Sequence, residues 1–126
     1  MDYETFEKTV SSRAGMPRDR ARTLIRATLE TLGERLTRGE ADDLASQLPK
    51  PAKEWLSSGP PEAERFGLEE FIRRVSERTR VRPEDAQAAV RAVFTTLREA
   101  VTAGEFKDVM SQLPEEFSQI LDATGG

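Results

Sequence analysis

The chain has 126 residues, of which 33% are charged and 37% hydrophobic, and its net charge is −4. It contains neither cysteine nor histidine, which excludes disulfides, thiolate metal sites and the commonest general base. The negative net charge argues against a general nucleic-acid coat, and no apolar stretch approaches the roughly 20 residues of a membrane span. We therefore expect a small protein of the cytoplasm with no cofactor, no metal and no membrane partner, and with nucleic acid disfavoured as a partner.

The sequence repeats itself at an offset of 65 residues. Residues 3–59 align without a gap on residues 68–124, and 20 of the 57 pairs are identical. The run Ser-Gln-Leu-Pro occurs at 46–49 and again at 111–114. An internal match of this length indicates a tandem duplication.

The duplication defines the expected domain organisation. The first repeat covers 1–59, a Pro-rich linker covers 60–66, and the second repeat covers 67–126. A half of about 60 residues with few large apolar side chains would be marginally stable alone. We therefore expect the two halves to pack as one all-α domain around an approximate two-fold axis.

Apolar residues recur at spacings of three and four through both repeats, which is typical of helices with one buried face. Three or four helices are predicted in each repeat, and no strand is needed. The first repeat predicts helices over 3–14, from Pro17 to Leu36 with Gly39 as a left-handed cap, over 41–48 and over 53–57. The second repeat predicts helices over 68–79, 83–101, 105–113 and 115–121. The predicted core residues are Phe6, Leu24, Leu32, Leu36, Leu48, Phe71, Val90, Leu97, Val101 and Leu113.

Arginine clusters beside the turn between the first two helices of each repeat. Residues 13–26 and residues 72–82 each carry a local charge of +4. A helix N-terminus beside several guanidinium groups suits phosphate or carboxylate, whereas Arg–Glu pairs along a helix would make the same residues a solvated face. The candidate anion- or partner-binding residues are Arg13, Arg18, Arg20, Arg78, Arg80 and Arg82.

Acidic residues near the start of the third helix of each repeat allow two interpretations. Glu40 with Asp43, and Glu105 with Asp108, share a helix face and could hold a hard cation weakly. The alternative is that these carboxylates compensate the helix dipole. Catalysis is not expected, since no histidine is present to activate a serine or threonine and no glycine-rich phosphate loop occurs.

Two smaller features have a structural and a binding interpretation. Trp55 corresponds to Ile120 in the second repeat, which favours core packing over a role as a binding anchor. The repeated Ser-Gln-Leu-Pro run is typical of a helix end, because proline blocks continuation of the helix.

The repeated motifs resemble those of a bacterial family known as domain of unknown function 2267. They comprise Tyr3-x-x-Phe6, the pattern Thr-Leu-x-Glu-x-Leu-x-x-Gly-Glu at 31–40 with its counterpart at 96–105, and both Ser-Gln-Leu-Pro runs. The resemblance covers nearly the whole chain. It implies a small helical protein built from two repeats, and it implies no activity.

The first two predicted helices are also similar to the helical hairpin of HU-type nucleoid proteins. Those proteins continue into strands and a basic DNA-binding arm, whereas residues 41–48 here predict another helix. Only an analogy of packing follows from this likeness.

Two functions remain open at this point. The first is a non-enzymatic interaction or scaffold protein that binds a protein partner or itself. The second is a regulator or binder of anionic ligands, such as phosphate or nucleic acid, through the arginine clusters. The salt dependence of binding separates them, since phosphate contacts release counterions.

Overall fold

The structure, a computed structural model, describes residues 1–122 and is all-α over that range. Residues 123–126, which belong to the predicted second repeat, lie outside the described residues. The described part of the chain forms eight helices, α1 Tyr3–Ala14, α2 Arg18–Arg35, α3 Arg38–Ala45, α4 Ala52–Ser57, α5 Leu68–Thr79, α6 Pro83–Ala100, α7 Ala103–Ser111 and α8 Glu116–Asp122. None of these helices combines the length and the apolarity that crossing a membrane requires.

The predicted left-handed cap at Gly39 is wrong. The second helix ends instead at Leu36, which is extended and buried, and Thr37 is already the N-cap of α3. The Thr37 hydroxyl accepts a hydrogen bond from the Glu40 amide, so α3 starts without a left-handed residue and includes Gly39. The left-handed glycine of the first half is Gly15, with φ 66°, at the end of α1.

The two halves contact each other reciprocally. Helix α1 packs against α6, and α5 packs against α2. Helices α1 and α5 have 12 residues each, and α2 and α6 have 18 each, with both pairs offset by 65 residues. Reciprocal contacts are what a two-fold arrangement of equivalent halves produces. The origin of these halves by duplication stays a prediction from the sequence.

The glutamine of each Ser-Gln-Leu-Pro run joins the two halves. Gln47 accepts a hydrogen bond from the Thr102 amide at 2.9 Å, and Gln112 accepts one from the Thr37 amide at 3.0 Å. Thr37 and Thr102 are the N-caps of α3 and α7. Each run therefore does more than end a helix, because its glutamine binds the start of a helix in the other half.

All ten predicted core residues are buried, which confirms that part of the helix assignment. In the second half, three rings form the centre of the core: Phe71 lies 5.9 Å from Phe94 and 5.6 Å from Phe117 between ring centroids. The geometries are edge-on or tilted, as aromatic pairs prefer.

The segment between α4 and α5 lies against α2. The Glu64 amide donates a hydrogen bond to the Glu34 carbonyl at 2.8 Å, and Arg35 donates one to the Phe66 carbonyl at 2.8 Å. Gly33 of α2 permits the closest approach, since a Cβ there would overlap with the Leu56 carbonyl oxygen of α4. The connection between the halves is thus part of the packed structure.

Candidate functional site

Two of the candidate arginines, Arg13 and Arg78, tie the halves together. Arg13 donates to the Thr96 hydroxyl at 3.1 Å and forms an ion pair with Glu99 at 2.6 Å. Arg13 lies in the first half of the chain, and Thr96 and Glu99 lie in the second, so this contact crosses the interface between the halves. Arg13 therefore already has partners that compensate its charge.

The second contact mirrors the first. Arg78 donates to the Thr31 hydroxyl at 2.9 Å and pairs with Glu34 at 2.9 Å. Thr31 is fully buried, and Glu34 also pairs with Arg74. The residues of this contact lie 65 positions from those of the first, with the roles of the halves exchanged.

Two further candidates meet on one carboxylate. Arg20 of α2 lies 3.8 Å from Asp85, and Arg82 lies 3.5 Å from the same carboxylate. The structure thus brings one arginine from each cluster together at the starts of α2 and α6. Both remain at least half exposed, so their ion pairs add little to stability.

Arg80 is the C-cap of α5 and has a left-handed backbone, with φ 57°. It occupies the position that corresponds to Gly15 in the first half. Within the described residues it has no ion-pair partner. Arg80 is therefore the one candidate whose charge the described residues leave uncompensated by an ion pair.

An apolar groove of about 670 Å³ lies along α5 and the start of α6. Leu68 and Ile72 line it from α5, and Pro83 and Gln87 line it from α6. Leu68 and Ile72 are each partly buried. Ser76 also lines the groove, and its hydroxyl donates to the Val81 carbonyl at 2.6 Å.

The corresponding place in the first half is occupied by polar and aromatic side chains. Glu7 accepts hydrogen bonds from the Tyr3 hydroxyl at 2.9 Å and from Arg18 at 3.0 Å, and it pairs with Arg22 at 3.5 Å. Trp55 packs edge-on against Tyr3, and the Arg22 guanidinium lies over both rings. Trp55 is half-buried in this cluster, so its role is packing at the edge of the core.

The rim of the groove carries an excess of negative charge. Glu69, Glu77 and Glu116 line it, and Arg73 is the one cation that lines it within residues 1–122. Arg73 pairs with Glu77 at 2.7 Å and with Glu70 at 2.6 Å. The hydrogen bonds from Arg73, followed by those from Arg74, lower the pKa of Glu70 to about 2. The positive charge of Arg73 is thus compensated by carboxylates of its own helix, α5.

Glu116 of α8 holds one end of the groove in place. Its carboxylate accepts a hydrogen bond from the Leu68 amide at 3.2 Å, at the start of α5. The N-cap position of α5 is Gly67, which has no side chain to cap the helix, whereas Asp2 caps α1. Helix α8 therefore supplies the cap that the second half lacks locally.

A separate acidic cluster lies where α3 meets α7. Carboxylate oxygens of Glu40, Asp43 and Glu105 lie within 4.8 Å of one another. Burial raises the pKa of Glu40 to about 8, and a hydrogen bond with Glu105 in the protonated state adds to the shift. The negative charges of Glu105, Asp108 and Asp43 act in the same direction. The structure thus unites the two acidic pairs that the sequence placed in different repeats.

The fold and these sites define a small helical protein made of two mutually capping halves. A family model described as an uncharacterized conserved protein (DUF2267) matches residues 3–120. The chain belongs to this family, as its repeated motifs suggested. No curated protein matches the chain.

The groove was not among the sequence-predicted sites. Its signal lay in the positions at which the repeats differ: Leu68, Ile72, Pro83 and Gln87 stand where the first repeat has Tyr3, Glu7, Arg18 and Arg22. Identities between the repeats instead mark what the two halves have in common. The exchanges of Glu7 for Ile72 and of Arg18 for Pro83 replace charged with apolar residues and so favour a groove in the second half.

Proposed function

We propose that this chain is a non-enzymatic interaction protein that binds an amphipathic helix of a protein partner in the groove between α5 and α6. The observation that supports this most is the contrast between the halves. Where Glu7 is engaged by Tyr3, Arg18 and Arg22, the second half has Ile72 on an apolar surface. A groove lined by two helices fits the apolar face of a third.

The negative charge at the rim of the groove indicates that the partner helix is basic. Glu69, Glu77 and Glu116 face the groove, while Arg73 is engaged by two carboxylates. A helix with lysine or arginine beside its apolar stripe therefore complements this surface.

A helical segment suits the groove better than a second copy of the chain. Met1 is the one large apolar residue that is strongly exposed among the described residues. Stable homodimers bury a wide and rather apolar surface, whereas this groove is confined to α5, the start of α6 and Glu116 of α8.

The side chains of the groove favour binding over chemistry. The whole sequence has no histidine or cysteine, and the Ser76 hydroxyl is engaged with the Val81 carbonyl. A hydroxyl nucleophile needs an adjacent base that takes its proton.

The test is binding of a helical probe peptide to the whole chain and to Ile72→Glu, which installs the residue of the first repeat. The probe has leucine at i, i+3, i+4 and i+7 and lysine at its other positions, and fluorescence anisotropy measures its binding. We expect roughly tenfold or greater weakening, since an isoleucine contact is lost.

The added glutamate separates apolar contact from charge. Its negative charge attracts a lysine-rich peptide, so weaker binding can come only from loss of the apolar contact. Equal or tighter binding to Ile72→Glu would mean that only charge holds the probe. Sedimentation of the natural chain and of Ile72→Glu checks for self-association. If the natural chain is a dimer and Ile72→Glu is a monomer, the groove binds a second copy of the chain and not a partner helix. Lys8→Glu, at the exposed position corresponding to Arg73, controls for added charge elsewhere.

The alternative, a binder of anionic ligands, is supported by Arg80. Its side chain lacks an ion-pair partner among the described residues, close in sequence to Arg82. This function predicts binding of phosphate-bearing ligands that weakens steeply with salt and is lost in Arg80→Ala. The peptide proposal predicts that Arg80→Ala leaves probe binding unchanged.

A further inference from the structure

The acidic cluster between α3 and α7 combines carboxylates from both halves of the chain. Glu40 and Asp43 lie on α3, and Glu105 lies on α7. One oxygen from each lies within 4.8 Å of the other two. Asp108, on α7, acts on Glu40 through its charge, so a fourth carboxylate belongs to the same neighbourhood.

When Glu40 is ionised, the cluster contains buried oxygens without a hydrogen-bond donor. Glu105 is 9% exposed, and its Oε2 atom is buried without a partner. The Oε2 atom of Glu40 is likewise buried and without a partner. An uncompensated buried carboxylate is costly, and two beside each other are costlier. A positive group is therefore required between them when both are ionised.

The described residues do not supply this positive group, since the ion pairs of the structure leave Glu40 and Glu105 without Lys or Arg. The helix N-termini that precede them are engaged by the Thr37 and Thr102 hydroxyls. Dipole compensation alone thus does not account for the buried oxygens.

We propose that Glu40, Asp43 and Glu105 bind a Ca²⁺ ion that joins α3 to α7. Oxygen is the ligand that hard cations take, and water completes the coordination shell. Ca²⁺ accepts irregular sets of about six to eight oxygens, whereas Mg²⁺ demands a near-ideal octahedron and dehydrates reluctantly. Three carboxylates from two helices, with one oxygen of each within 4.8 Å of the others, suit the less demanding ion.

The position of the ion gives it a structural role. It would cross-link the two halves at the place where Gln47 and Gln112 also join them. An ion that binds only the folded chain stabilises it according to its concentration. With three carboxylates and an open side, we expect a Kd of about 10⁻⁴–10⁻³ M, as in weak Ca²⁺ modules.

The test is thermal unfolding of the full chain after chelation and after addition of Ca²⁺ or Mg²⁺, at a pH at which Glu40 is ionised. With Ca²⁺ at ten times the Kd, we expect Tm to rise by about 3–6 °C. Mg²⁺ at the same concentration should raise it less. Calorimetric titration should show one Ca²⁺ per chain.

Glu105→Gln keeps the size of the side chain and removes its charge. In chelator, this variant should be at least as stable as the natural chain, because the repulsion with Glu40 is gone, and it should show no Ca²⁺ response. Asp42→Asn, on the exposed face of α3, is the matched control and should respond fully.

Three results would overturn the proposal. If Ca²⁺ leaves the Tm of the natural chain unchanged, a proton shared by Glu40 and Glu105 compensates their charge without a metal ion. An equal Ca²⁺ response in Glu105→Gln would place the ion elsewhere. An equal rise of Tm with Ca²⁺ and with Mg²⁺ would mean that divalent cations stabilise the chain by general screening of charge and not at this site.

Discussion

Arg80 has a left-handed backbone at the position where the first half uses Gly15. For a residue with a Cβ this conformation costs roughly 1–2 kcal/mol. We therefore expect Arg80→Gly to increase the free energy of unfolding by about 1 kcal/mol, measured by urea denaturation. Arg80→Ala keeps the Cβ and removes the charge, so it should give no such gain. Equal gains from both variants would assign the effect to charge rather than backbone.

Gly33 shows the opposite case, in which a helical glycine is required. In an ordinary helix, glycine to alanine is stabilising. Here the new Cβ would overlap with the Leu56 carbonyl oxygen, and overpacking against backbone costs about 1–3 kcal/mol. Thermal melts should therefore show Gly33→Ala to be destabilised. Gly39→Ala, with open space around its position, is the control and should show no loss. An unchanged Tm for Gly33→Ala would contradict the close packing of α4 on α2.

At the scale of elements, the starts of α3 and α7 are held by glutamines of the opposite half. Gln47→Ala and Gln112→Ala should each lower the free energy of unfolding by about 0.5–1.5 kcal/mol. The effects should be similar, since the two hydrogen bonds are reciprocal. Gln119→Ala on α8 lacks such a bond and should be neutral. A loss in only one of the two glutamine variants would contradict reciprocal capping.

The helices themselves followed from the sequence, because periodic apolar residues such as Phe6 and Leu97 identify buried faces without knowledge of the partners. The cap at Gly39 was mispredicted since glycine can adopt a left-handed conformation but need not, and the Thr37 hydroxyl decided the helix start instead. The roles of Gln47 and Gln112 could not be deduced, because they depend on how the halves dock.

The same limit applies to the candidate site. Arg13 and Arg78 are charged residues beside a helix terminus, which suits an anion. Docking of the halves gave them Glu99 and Glu34 as partners instead. A local charge of +4 can be computed from the sequence, but the carboxylates that compensate Arg13 and Arg78 come from distant positions.

At the scale of the whole molecule, the halves share the pattern of their buried helix faces and differ in charge along α1 and α5. The shared part consists of the buried stripes, the threonine caps and the glutamine contacts. One difference lies along the first two helices of each half, where a charged cluster around Glu7 contrasts with an apolar groove around Ile72. We infer that the common core serves stability and that the groove serves recognition.

Binding of a helix in the groove of the second half would change the environment of the residues that line it. The most direct measurement is the map of backbone amide chemical shifts in the full chain on titration with the helical probe peptide. We expect the largest changes in α5 and the first turns of α6, around Ile72, Ser76 and Gln87, with the corresponding residues of α1 and α2 little affected. Changes confined to α1 and α2, or changes of equal size in both halves, would contradict it.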